Sequence, residues 1–121
     1  MDNWTNQVNQ SERLAWRGRH LSTAFVLQLD QDIWKIKIHE GRIESVTGGP
    51  FVMTNWEFAI QTSEQAWRKF CQKLPPPEFH DVMAMLKLKH LKLLGNLYPL
   101  VSHLLYFKDI LALMREISNH D

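Results

Sequence analysis

A chain of 121 residues falls within the usual span of one domain and leaves little room for a second hydrophobic core. Its 45% apolar and 22% charged residues are those of a folded globular protein, which excludes wholesale disorder. Fourteen basic against thirteen acidic residues give a formal net charge of +1, too weak a field to gather nucleic acid, so no nucleic-acid partner is expected.

Cys71 is the sole cysteine, which rules out an internal disulfide and a Cys-rich zinc site and fits a reducing compartment. The opening Met1-Asp2-Asn3-Trp4-Thr5-Asn6-Gln7 lacks the basic start and apolar stretch of a secretory signal. Asn119-His120-Asp121 is not a peroxisomal tail of the Ser-Lys-Leu type. A cytoplasmic location is the resulting expectation.

Residues 1–19 are polar, with Leu14 and Trp16 the sizeable apolar side chains nearest the domain, and read as a flexible arm or short helix packed through Trp16 alone. The domain proper spans 20–121. Leu21, Thr23, Phe25, Leu27 and Leu29 alternate with Ser22, Ala24, Val26 and Gln28, the period of a strand. After the Asp30-Gln31-Asp32 turn, Trp34, Ile36 and Ile38 share one face and Lys35, Lys37 and His39 the other, so the two strands form a hairpin with one wet face.

Glu40-Gly41 supplies a positive-φ turn into a third strand, Arg42 to Val46. Gly48-Gly49-Pro50 breaks the ladder, and Trp56, Phe58 and Ile60 alternate with Glu57, Ala59 and Gln61 as a fourth strand. Thr62 or Ser63 caps a helix that ends near Leu74, before Pro75-Pro76-Pro77. A second helix runs from Glu78 to about Leu86 and carries Phe79, Val82 and Met83. Lys89 to Leu94 reads as a fifth strand. Beyond Gly95-Asn96, Leu97, Leu100, Val101, Leu104 and Leu105 form a helical stripe that Ile110, Leu113, Met114 and Ile117 repeat, with a bend expected at Lys108-Asp109.

Four meandering strands, two helices, a strand and a terminal amphipathic helix follow one another in an order that resembles the sterol carrier protein 2-like family. The likeness rests on Trp34-Lys35-Ile36-Lys37-Ile38, the Glu40-Gly41 turn, the strand from Trp56 to Thr62 leading into Ser63-Glu64, and Leu91-Lys92-Leu93-Leu94-Gly95-Asn96, and it covers roughly residues 20 to 117. It implies an α+β domain, a five-stranded mostly antiparallel sheet with helices on one face. It also implies an apolar tunnel between the layers that takes fatty acyl chains, sterols or similar molecules. Asn96, Lys89 and the polar N-terminal arm depart from the family pattern, the last suggesting a missing first helix and a tunnel open at one end.

On that resemblance the tunnel lining is Phe25, Leu27, Trp34, Ile36, Phe58, Trp67, Met83, Leu104, Phe107 and Met114; for any one of them taken alone, plain core packing is the commoner role. Phe51, in the apolar Pro50-Phe51-Val52-Met53 loop, is placed as a lid over the mouth or a shallow membrane contact, or else as a pin to the core. His103 on the terminal helix would offer a hydrogen bond to a ligand's polar end, or sit as a satisfied core histidine. Lys87, Lys89 and Lys92, with Arg13, Arg17 and Arg19 elsewhere, would meet an anionic headgroup or a coenzyme A phosphate, or more simply solvate their elements.

The histidines show neither HExxH nor a Cys-His cluster, and no nucleophile elbow or nucleotide fingerprint occurs, so no metal, cofactor or catalytic residue is assigned. Ser102 and His103 are expected to diverge by about 100° on a helix and form no dyad. Two rivals stay open. One is an enzyme or enzyme subunit using the same cavity, with His39, Glu40, His90 or His103 as acid or base. The other is an interaction module with a filled core, forming a homodimer or meeting a partner enzyme.

Overall fold

The computed structural model describes residues 2–49 and 55–118. In chain order these form helices α1 (Asp2–Gln10) and α2 (Glu12–Arg17) and strands β1 (Thr23–Leu29), β2 (Asp32–His39), β3 (Arg42–Gly48) and β4 (Phe58–Thr62). Helix α3 (Glu64–Phe70), a 3₁₀ turn (Pro77–Phe79), helix α4 (Val82–Lys87), strand β5 (Leu91–Gly95) and helices α5 (Tyr98–Ser102) and α6 (Leu104–Ser118) complete them. The α+β class and the five-stranded, mostly antiparallel sheet are as the sequence predicts.

The strand order is β3-β2-β1-β4-β5. The β1–β2, β2–β3 and β4–β5 pairs are antiparallel, whereas β1 and β4 run parallel with Phe25 opposite Phe58 and Leu27 opposite Ile60. The expected four-strand meander therefore stops at three. Phe58, Ala59 and Ile60 are all buried, on both faces of β4, and such a strand belongs in the middle of a sheet rather than beyond β3 at its edge. Asp30, Glu40 and Gly41 take positive φ (55°, 50° and 81°), and the two-residue Glu40-Gly41 turn matches the twist of the strands that it joins.

The N-terminal segment is helical, one of the two forms expected of it, but it does not pack through Trp16. Helices α1 and α2 bury Trp4, Val8 and Leu14, while Trp16 is 67% exposed beneath the Arg19 guanidinium. Trp4 and Val8 lie four residues apart and so share one helix face, enough to dock an otherwise polar helix. The indole Nε1 of Trp4 donates to the Ile110 carbonyl of α6 at 2.6 Å, and the Asn9 side-chain amide both donates to and accepts from the Ile43 backbone (3.0 and 2.7 Å). A first helix is thus present, contrary to the departure read from the polar arm.

Local capping moves other boundaries. Ser63 Oγ accepts the Ala66 N–H and starts α3, which closes at Phe70 rather than Leu74. Asp81 Oδ1 accepts the Ala84 N–H, so the expected Glu78–Leu86 helix divides into the 3₁₀ turn and α4. Lys89 at φ 65° ends α4, and β5 begins only at Leu91.

The terminal stripe breaks at His103 (φ −126°), not at Lys108-Asp109. Ser102 Oγ donates to the Pro99 carbonyl, the local competition that loosens helices. Val101 before the break and Leu105 after it face solvent, and Phe107, Ile110, Leu111 and Met114 take the core face. Asp109 instead anchors α2, its Oδ2 accepting from Arg13 and Arg17 at 3.4 and 3.2 Å.

Candidate ligand-binding site

The sheet presents Phe25, Leu27, Ile36, Phe58 and Ile60 on its inner face, and α6 closes over them with Tyr106, Phe107, Ile110, Leu111 and Met114. Period-two alternation in the strands and i, i+3, i+4, i+7 spacing in α6 put these residues on facing surfaces. At the centre three rings meet. Phe25 and Phe58 stack at 5.2 Å between centroids, and Phe107 stands edge-on to both at 5.6 and 5.4 Å.

Of the sequence-predicted lining residues, Phe25, Leu27, Ile36, Phe58 and Phe107 are fully buried together, and Met114 and Trp67 belong to the same core. Trp67 packs at its α3 margin against Phe70, with centroids 4.8 Å apart. Trp34 and Leu104 are half-buried against this core. Met83 is half-buried on α4, and His103 half-buried at the α5–α6 break. Phe51 lies outside the described residues.

The break also brings Ser102 Oγ to 3.1 Å from His103 Nδ1, where a continuous helix was expected to hold them apart. The hydroxyl has a single proton to divide between His103 and the Pro99 carbonyl, so the pair is better fitted to shaping the break than to acid–base work.

Sequence reasoning missed Tyr106 and Trp4. Tyr106 is 1% exposed and donates its phenolic hydrogen to the Gly41 carbonyl at 2.8 Å; burial pushes its pKa upward. Nothing in the helical pattern separates it from neighbouring apolar residues. For Trp4 the signal was the Trp4/Val8 spacing. Among the described residues no group of three His, Cys, Asp or Glu comes together as a metal site would need. The interlayer is thus a packed apolar core in which the Tyr106 hydroxyl is already engaged.

No protein-family model and no curated protein sequence matches the chain. Solved structures do. The crystal structure of sterol carrier protein 2 superposes with a TM-score of 0.77 at 12% identity, over 95% of this chain and 92% of that one. A ubiquinone synthesis protein, UbiJ-SCP2, gives 0.63 at 12% identity, over 93% of this chain and 85% of that one. A conserved hypothetical protein from Thermus thermophilus, described as possibly a sterol carrier protein, gives 0.64 at 11% identity, over 94% and 87%. These superpositions take in 93% to 95% of the chain, and the fold of this chain is the sterol carrier protein 2-like fold.

Proposed function

We propose that the chain binds a bulky apolar small molecule, such as a fatty acyl chain or a sterol, between the sheet and α6, as a carrier or ligand-holding protein. The observation that carries this reading is the gathering of Phe25, Leu27, Ile36, Phe58, Phe107 and Met114 into one apolar interlayer, in a fold like that of sterol carrier protein 2. Affinity would come from burial of apolar surface, about 25 cal/mol per Å² before ordering costs. Discrimination among ligands would be shallow, because the interlayer offers shape rather than free hydrogen-bonding groups.

The test is a titration of delipidated protein with a fluorescent fatty-acyl probe, followed by displacement with fatty acids, acyl-coenzyme A and sterols. Prenylated quinones join the panel because one protein of similar fold is a ubiquinone synthesis protein. Saturable one-site binding reversed by several apolar competitors supports the reading; no uptake at tens of micromolar, roughly −6 kcal/mol, overturns it.

Ring-to-ring contact at the centre favours a second reading, a filled core whose exposed Tyr98, Val101 and Leu105 meet another copy or a partner enzyme. Concentration-dependent mass without ligand uptake would select it.

A further inference from the structure

Away from the interlayer, the C-terminal ends of the parallel strands β1 and β4 converge with the start of β5 around an open depression of about 280 Å³. Gln28, Asp30, Gln61, Lys89, His90 and Lys92 are on its walls. A second depression of about 380 Å³ follows the edge strand β5 and is walled by Leu86, Leu93 and Leu94. Lys89, Leu91 and Lys92 line both, so a polar and an apolar hollow adjoin along one short strand.

The polar hollow has spare donors and little competing negative charge. Among the described residues neither the Lys89 nor the Lys92 ammonium has an ion-pair partner, and both side chains are exposed. Asp30 is the acidic group on its wall, and its Oδ2 already accepts the Glu64 N–H at 3.0 Å. Gln61 Nε2 donates to Gln28 Oε1 and Gln28 Nε2 to the Asp30 carbonyl, each at 3.0 Å, which leaves a second N–H on each amide. His90 Nε2 makes no hydrogen bond and lies 3.6 Å from Glu78 Oε2, while the ring stacks on Phe79.

Lys89 is the informative residue. It ends α4 at φ 65°, with its N–H on Leu86 O and the His90 N–H on Met85 O, the left-handed closure at which glycine is the usual residue. The chain holds a cation there instead, at the junction of the two hollows.

We propose that this surface binds an amphipathic anion: a carboxylate or phosphate head between Lys89 and Lys92 within reach of the glutamine amides, and an alkyl or aryl tail against Leu86, Leu93 and Leu94. It uses none of the interlayer residues and stands independently of the interior site.

The test is an amide-resolved NMR titration of the full chain with decyl phosphate below its micelle concentration, with inorganic phosphate, decanol and phosphatidic-acid vesicles as separate arms. Lys89→Gly keeps the left-handed closure and Lys92→Gln keeps the exposed strand position, so the doubly substituted protein should retain the wild-type spectrum elsewhere. Saturable shifts at residues 28, 61 and 89–94 are expected, with affinity falling about tenfold in the double variant, the loss of about one charge-assisted hydrogen bond. Decanol should show no such fall, and inorganic phosphate should bind about tenfold more weakly than decyl phosphate. Unchanged decyl phosphate affinity in the double variant overturns the proposal, as do shifts confined to the interlayer. Equal binding of inorganic phosphate removes the tail groove, and vesicle binding without monomer saturation assigns the cations to a membrane surface instead.

Discussion

Tyr106 on α6 donates its phenolic hydrogen to the carbonyl of Gly41, at the tip of the β2–β3 turn, across 65 residues of sequence. The bond ties the closing helix to one end of the sheet. Tyr106→Phe keeps the ring and leaves a buried carbonyl short of its partner, so stability should fall by about 1–3 kcal/mol in urea unfolding. The pH dependence has a definite sign. Burial raises the folded-state pKa above the unfolded value, so below about pH 10 the phenol is neutral in both states and contributes no slope. Above it the unfolded chain ionises first, and stability should decline by up to about 1.4 kcal/mol per pH unit from this group. Comparing wild type with Tyr106→Phe between pH 8 and 11 isolates that slope; equal slopes would contradict the assignment.

The same corner depends on two glycines in contact. A methyl on Gly18 would lie 2.8 Å from the Tyr106 ring and 2.9 Å from Gly41 Cα; one on Gly41, at φ 81°, would lie 2.8–2.9 Å from the Gly18 carbonyl group and Ala15 O. Backbone cannot rotate aside as a side chain can. Gly41→Ala should therefore cost more than Gly18→Ala, the latter about 1–3 kcal/mol as an overpacked site. Gly48→Ala, whose added carbon would rest 3.8 Å from Trp34, should stay within about 0.5 kcal/mol. Thermal or denaturant midpoints of the three variants test that ranking.

Trp4 gives the N-terminal helix a measurable stake in the fold. Its side chain is 1% exposed and its indole N–H caps an α6 carbonyl, so Trp4→Ala should destabilise the domain by about 3–5 kcal/mol. Trp16→Ala, at 67% exposure, should change stability by less than about 1 kcal/mol. Sensitivity at Trp16 rather than Trp4 would restore the reading of an arm packed through Trp16 alone.

What the sequence made legible was whatever repeats locally. The Trp34-Ile36-Ile38 alternation and the Glu40-Gly41 turn are written in adjacent residues, and both are found in place. The parallel pairing of β4 with β1 is a contact between residues more than 30 apart, chosen by where a doubly buried strand can sit, and no local period encodes it. The terminal stripe failed for a related reason. Leu97 to Leu105 fits one continuous helix, but the helix breaks at His103, and Val101 and Leu105 on either side of the break face solvent. Of the candidate interior, Phe25, Phe58 and Phe107 were legible as inward-facing; that their rings touch depends on the closeness of α6, which three dimensions alone reveal.

Phe107 is where stability and the proposed ligand uptake pull against each other. Its ring is fully buried and wedged edge-on against the Phe25–Phe58 stack, so Phe107→Ala should cost about 3–5 kcal/mol. The volume it vacates lies between the sheet and α6, where an apolar chain would go under the proposed function. A ligand that fills it should restore stability in proportion to its occupancy, about 2.7 kcal/mol at a free concentration 100 times Kd. Thermal shifts with saturating fatty acid should accordingly be larger for Phe107→Ala than for wild type, and the acyl probe should bind the variant more tightly. Val101→Ala, on the exposed side of the helix break, should alter neither quantity. If fatty acid leaves the Phe107→Ala midpoint unmoved, the interlayer is a packed core and not a binding volume.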